Sequence, residues 1–249
     1  MKRNLQNLIL IALLPLLIFF IYDAGEPEEV STDTVKAKIA EKKIAEKKIV
    51  TKEQIVEQTD VRNKKELFLD LIVPAVDLVY DELDLQYKET INLLENNSSI
   101  EKILELKQMY KVTSDEELLM ALKPHPKSIA ISQAAMESAW ITSRFYKEAN
   151  NLFGVWSFNK HEPRIAALEK RGDKKVWLKK YSTVVDSVRD YYITLARSSA
   201  FKEFRELKMK TDDPYKLVKE LDDYSELGEK YPKQLSSMIK YNKFYLYDE

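Results

Sequence analysis

Three features of the chain predict a mainly α-helical fold carrying one small β-hairpin. Glycine occurs only four times in 249 residues, and helix-favouring Lys, Glu, Leu and Ala are abundant. Ser98 with Glu101 and Ser114 with Glu117 read as capping boxes that open helices. One stretch, Trp156 to Tyr181, departs from the helical pattern. There VWLKKYS, from Val176, has strand composition and follows RGDKK, a turn centred on Gly172.

The elements follow in order. After the basic start MKR, the run from Leu5 to Tyr22 is almost wholly apolar and approaches the roughly 20 residues that cross a bilayer. Positive charge before it keeps the N-terminus in the cytoplasm and sends the rest outward. Residues 1–24 are therefore a signal anchor or a signal peptide cleaved near Ala24. Asp23 beside that site and the lack of a small-x-small pair favour the anchor. Residues 25–62 form a charged spacer. Its isoleucines at 39, 44 and 49 rotate by about 140° per step around a helix, so no apolar face results.

Residues 63–126 form an N-terminal helical segment, packed on or leading into a domain at 127–249. LFLDLIVPAVDLVYDEL, from Leu67, has apolar residues at helical spacing, with Pro74 as a kink or a start. Helices follow through about Tyr110 and over EELLMALK. KPHP interrupts, and SIAISQAAMESAW forms the next helix, ending near Trp140. Ser182 or Thr183 caps VVDSVRDYYITLAR, whose Val184, Val188, Tyr191 or Tyr192, and Leu195 share one side. Helices near FKEFRELK and PYKLVKEL come next, and EKYPKQLSSMIKYNKF closes the chain.

Composition narrows the function. Forty basic and 41 acidic residues leave a net charge of -1, which gives no global field toward nucleic acid or an anionic membrane surface. With no cysteine, disulfide and thiol chemistry are excluded. Two histidines, His125 and His161, make a zinc site an unfavoured reading, and both are expected at the surface. No G-x-S-x-G elbow and no phosphate-binding glycine loop occur. No metal or cofactor is expected.

The sharpest signal is Glu137, a carboxylate in an apolar helix with no basic residue from Ser128 to Ile141. An ionised Glu is costly to bury unless it is paired. Desolvation raises the pKa of such a group and lets it act as a general acid, which a departing glycosidic oxygen requires. The plainer reading is a structural Glu paired locally, for instance with Arg144.

AAMESAW, followed about ten residues later by NNLFGVW, resembles the A-x-E-S-x-W and N-N-L-F-G-x-W pattern of the Bax-type glucosaminidases, relatives of glycoside hydrolase family 73. The likeness runs from Lys127 to Phe244 and continues in YSTVVDSVRDYYITL, AFKEFRELK and DYSELGEKYPKQLSSMI. It implies a lysozyme-like α+β domain, mainly α, with a small β-hairpin lobe and a glycan cleft between them. The implied reaction is hydrolysis of β-1,4 bonds at N-acetylglucosamine in peptidoglycan. By the resemblance Glu137 is the catalytic acid, and Asn150, Asn151, Phe153, Gly154 and Trp156 shape the cleft floor. Phe153 and Trp156 suit sugar stacking or, equally, core packing. Gly154 suits a strained or close backbone approach.

For a second carboxylate the hairpin lobe offers Glu162 first, then Glu169, then Asp173. The substrate's acetamido group is the alternative. Tyr224 matches the family's functional tyrosine, although SELGEK before Tyr231 departs from the autolysin form Y-A-T-D-x-x-Y. The expected protein is an envelope hydrolase at the periplasmic or extracytoplasmic face. Its partners are peptidoglycan strands and, through residues 5–22, the membrane; nucleic acid is not expected. A lytic transglycosylase and a non-catalytic glycan-binding scaffold are the rival readings.

Overall fold

The computed structural model describes residues 64–171 and 174–249. The expected membrane segment, the spacer, and the turn at Gly172 and Asp173 lie outside the described residues, as does the side chain of Glu169. No helix among the described residues is long and apolar enough to cross a membrane. The described part is mainly helical with one two-stranded antiparallel sheet.

Apolar residues three and four apart drive the first helix, α1 (Lys64–Glu95), to bury Phe68, Leu71, Ile72, Ala75, Val76 and Val79 along one face. Pro74 lies inside α1, so it does not start the helix, which begins ten residues earlier. The next helix, α2 (Ile100–Tyr110), does not open on a capping box. Its N-cap is Ser99, in a left-handed conformation with no side-chain cap bond. A reciprocal cap needs extended backbone at the N-cap, and the left-handed Asn97 and Ser99 deny it. By contrast α3 (Asp115–Leu122) has the expected box: Ser114 Oγ accepts from the Glu117 N–H at 3.1 Å, and Glu117 Oε2 accepts from the Ser114 N–H at 3.3 Å.

The central element is α4 (Lys127–Glu137), in which every residue from Ser128 to Ala135 is buried. A helix apolar on all sides belongs in the middle of a fold, and α4 packs between α1, the last long helix and the C-terminal turn. It ends at Glu137, three residues before the expected Trp140. Short α5 (Arg144–Ala149), capped by Ser143, leads to the NNLFGVW loop. The hairpin consists of β1 (Arg164–Arg171) and β2 (Lys174–Lys179), with Ile165 opposite Leu178 and Ala166 opposite Trp177. A bulge lies between Ala166 and Lys170.

Thr183, rather than Ser182, caps α6 (Val184–Arg197) through a box with Asp186. Val184, Val188, Tyr191, Tyr192 and Leu195 are all buried, so both tyrosines face the core. Helix α7 (Lys202–Lys208) follows a 3-10 turn. PYKLVKEL forms only one α-turn, α8 (Pro214–Leu217), before continuing as a 3-10 segment, Val218–Tyr224. Helix α9 (Lys230–Asn242) and the 3-10 turn Phe244–Tyr247 close the chain.

Among the described residues, two clusters of buried apolar side chains hold these parts: α2 and α3 pack through Ile103, Leu106, Tyr110, Leu118 and Leu122 against Ala196 of α6, and the larger cluster gathers the rest. Phe68 to Val79 of α1 share a cluster with Ile129, Val188, Leu235 and Phe244. The bidentate pair of Arg189 with Glu82, at 3.1 and 3.3 Å, ties α6 to α1. His125, expected at the surface, is 1% exposed. It stacks on Tyr192 at 4.3 Å and meets Tyr191 and Phe204 edge-on, so α6 and α7 cover it. Burial pushes its imidazole down to about 3, which keeps it neutral. His161 is exposed, as expected.

Candidate active site

The end of α4 determines where Glu137 points. Ser138, fully buried, donates from Oγ to the Ala134 carbonyl at 2.6 Å and accepts there from the Ile141 N–H at 2.8 Å. Beyond it Ala139, Trp140 and Ile141 are all left-handed, with φ of 49°, 58° and 60°. Each such L-residue costs roughly 1–2 kcal/mol. The turn is held by Trp140, which packs on Phe68 at 5.0 Å and near Phe244, and by the Trp140 N–H bond to the Ala135 carbonyl at 2.9 Å. Glu137 thus becomes the last helical residue, at the negative end of the helix dipole, where an ionised carboxylate is disfavoured.

Glu137 is half-buried and accepts a hydrogen bond from Tyr231 Oη at 2.8 Å. Burial pushes its carboxyl above the usual carboxylate range, and the Tyr231 bond holds it back in part. It is not paired with Arg144. That guanidinium bonds Glu148 at 2.9 Å and the Ala166 carbonyl at 2.6 Å, fastening α5 to β1. Among the described residues Glu137 forms no ion pair.

The NNLFGVW loop arrives beside it. Asn150 ends α5 in a left-handed conformation, and its amide donates to the carbonyls of Tyr181 and Ser182 at 3.3 and 3.2 Å. Asn151 is buried. It donates to the carbonyls of Val155 and Lys179 at 3.0 and 2.9 Å and accepts from the Val155 N–H at 3.0 Å. Asn151 thereby pins the loop to β2, and Asn150 pins it to the segment between β2 and α6. Phe153 is also buried and stacks on Tyr191 at 4.0 Å, so that ring face supports the loop from beneath. Gly154 has φ of 66°, and nothing lies within 4 Å of where a Cβ would stand. The glycine answers a backbone conformation, not a close approach. Trp156 remains 38% exposed, pairs with Leu178 of β2 and lies 6.1 Å from exposed Phe158. These two rings form an aromatic lip on the hairpin side.

Tyr224 stacks on Tyr231 at 5.5 Å and donates weakly to the Phe153 carbonyl at 3.4 Å. Burial, and then the nearby charge of Glu137, push its hydroxyl well up. Glu137, Tyr224 and the Phe153 loop are therefore brought together. Glu162 does not share the hydrogen bonds of Glu137. It accepts from Ser157 Oγ at 2.7 Å, and its charge is felt at Tyr181. Tyr181 in turn donates to Asp190 at 2.6 Å, beside the half-buried Lys179–Asp190 pair at 2.8 Å that clasps β2 to α6.

Tyr231 and Gln133 are site residues that the sequence reading missed. Tyr231 was visible only as the second tyrosine of the C-terminal segment. Gln133 is the one long polar side chain besides Glu137 in SIAISQAAMESAW, and it stands one helical turn before Glu137.

Residues 116–244 match the model of the Glucosaminidase family, described as mannosyl-glycoprotein endo-beta-N-acetylglucosaminidase. The chain belongs to the Glucosaminidase family. No curated protein sequence gives a significant match. Among solved structures, the catalytic domain of the autolysin Auto from Listeria monocytogenes is similar at 19% identity and a TM-score of 0.47, over 79% of this chain and 94% of that one. A peptidoglycan hydrolase from Sphingomonas sp. A1 is similar at 16% identity and a TM-score of 0.41, over 58% and 85%. The glycoside hydrolase domain of Salmonella typhimurium FlgJ, C-terminally truncated, is similar at 20% identity and a TM-score of 0.38, over 55% and 97%.

Proposed function

We propose that the protein is a cell-envelope β-N-acetylglucosaminidase that hydrolyses β-1,4 bonds in peptidoglycan, with Glu137 as general acid. The observation that carries this reading is the setting of Glu137 within a Glucosaminidase domain. It is half-buried, without a cationic partner among the described residues, at the C-terminal end of α4, with its carboxyl pushed up by desolvation. A carboxyl pushed upward keeps its proton to higher pH and can hand it to a leaving sugar oxygen. The family supports the N-acetylglucosaminyl bond. Peptidoglycan, rather than a glycoprotein glycan, follows from the outward export expected of residues 5–22 and from the resemblance to autolysin and flagellar glucosaminidases.

In this reading the 25–62 spacer holds the domain off the inner membrane. The glycan lies between the α4 end and the hairpin lobe, against Trp156, and the loop Asn150–Gly154 shapes its floor. Tyr224 orients the acetamido group or the attacking water. The second step is completed by a hairpin carboxylate, Glu162 before Glu169, or by the substrate's own acetamido oxygen. No cofactor is needed.

The test is the Glu137→Gln variant. Its amide keeps size and hydrogen bonding but has no acidic proton. Reducing-sugar release from purified peptidoglycan should vanish while sedimentation with the insoluble glycan persists. Retained turnover would remove Glu137 from the mechanism.

A further inference from the structure

Four side chains from three helices form one hydrogen-bonded file that ends on Glu137. Tyr191 Oη of α6 donates to Gln133 Oε1 of α4 at 2.6 Å. Gln133 Nε2 donates to Tyr231 Oη of α9 at 3.0 Å. Tyr231 Oη donates to Glu137 Oε1 at 2.8 Å. Gln133, Tyr191 and Tyr231 are almost completely buried, so no bulk water competes for these bonds. Gln133 and Glu137 stand four residues apart, on the same face of α4, and Tyr231 spans the turn between them.

The file has a direction. A tyrosine hydroxyl has one proton. That of Tyr191 is committed to an oxygen, which turns the amide oxygen of Gln133 toward it and the NH2 toward Tyr231. Tyr231 must then accept from Gln133, so its own proton goes to Glu137 Oε1. An accepting hydroxyl is a stronger donor, because successive bonds polarise one another. Oε1 is thus occupied as an acceptor, which leaves Oε2 as the oxygen to carry a carboxyl proton. The titratable groups that face Glu137 are Tyr231 from α9, Tyr224 from the 3-10 segment and Tyr191 from α6. All three hydroxyls are pushed up by burial and remain protonated donors near neutrality.

We propose that Gln133 and Tyr191 are positioning residues which, acting through Tyr231, orient the Glu137 carboxyl so that its proton is carried on Oε2, and make that proton easier to release. This role for the file rests on Glu137 being the general acid; its influence on Glu137 itself does not.

Two readouts separate those levels. One is the side-chain carboxyl 13C titration of Glu137 in the full-length protein, assigned by its loss in Glu137→Gln. The other is the pH dependence of kcat on peptidoglycan, whose alkaline limb reports deprotonation of the acid. Tyr231→Phe removes the donor and should move the Glu137 midpoint upward. Gln133→Met, close in shape but unable to donate, should give a smaller upward move, with kcat lowered roughly 10-fold and KM little changed. In the double variant the midpoint should equal that of Tyr231→Phe alone, because Gln133 acts through that hydroxyl. Tyr191→Phe deletes one oxygen, and should move the midpoint in the same direction if Gln133→Met does not fold. An unmoved midpoint in a folded Gln133→Met or Tyr191→Phe protein overturns the proposal, and so does an additive shift in the double variant. Shifted midpoints without any glycan cleavage support the file and count against the glycosidase reading instead.

Discussion

Ser138 closes the helix that carries Glu137: its hydroxyl donates back to Ala134 and accepts from Ile141, and three left-handed residues follow. The Ser of the A-M-E-S-A-W motif thus has a structural duty beside the Glu. It converts the end of a buried helix into a fixed platform from which one carboxylate projects.

Ser138→Ala should therefore destabilise the protein by about 2 kcal/mol. It leaves the buried Ile141 N–H unpaired and removes support from a strained turn. Urea unfolding measures the loss, and a change below about 0.5 kcal/mol would contradict this account of the turn.

Gly154→Ala should cost about 1 kcal/mol, because only the backbone conformation resists a side chain there. Gly154→Asn should cost less, since Asn tolerates left-handed φ, and Gly154→Val more. The same urea titration ranks the three variants. An equal cost for Asn and Val would point to crowding, not to φ.

Lys208 is 3% exposed, and its ammonium donates to the Lys123 carbonyl while Lys123 Nζ donates back to the Lys208 carbonyl at 2.7 Å. Burial, with Arg205 and Lys123 adding to it, pushes Lys208 down to about 7 from the usual 10.5. For a base with a depressed folded value, the unfolded chain binds more protons between those limits, so folding gains as pH rises from about 7 toward 10.5. The slope from this group is at most about 1.4 kcal/mol per pH unit. Stability measured at pH 7, 8 and 9 should rise more steeply in the unmutated protein than in Lys208→Met. Parallel curves would show that Lys208 does not titrate in that window.

Local signals were legible in the sequence and distant pairings were not. The Ser114–Glu117 box and the Val184–Leu195 stripe were readable because each is complete within a few residues. Ser98–Glu101 has the same letters, yet a left-handed Ser99 excludes the box, and no spacing rule reports backbone handedness. His125 sits between prolines, as an exposed residue would. Tyr192 and Phe204, more than sixty residues away, bury it. Glu137 stood out as an unpaired charge in an apolar helix, but its partner Tyr231 lies 94 residues on, beyond any periodicity. The hairpin was visible in the composition of VWLKKYS, and the role of Asn151 in holding it was not. A buried amide bonded to two carbonyls and one N–H looks, in sequence, like any loop asparagine.

Asn151→Leu follows from that arrangement. It removes the Asn151 partner of the Val155 N–H and one bond from each of the Val155 and Lys179 carbonyls, of which the Val155 carbonyl keeps the Lys179 N–H at 3.0 Å, and should cost roughly 3 kcal/mol. Hydrogen exchange should accelerate in β1 and β2 before it does in α4. Uniform acceleration across both would mean that the loop and hairpin do not open as a separate unit.

The most direct test of the central claim is mass spectrometry of peptidoglycan digested by the full chain and by its Glu137→Gln variant. Fragments with reducing N-acetylglucosamine ends are expected from the unmutated protein alone. Anhydro-sugar ends would identify a lytic transglycosylase, and the same reducing fragments from both proteins would contradict the assignment of Glu137.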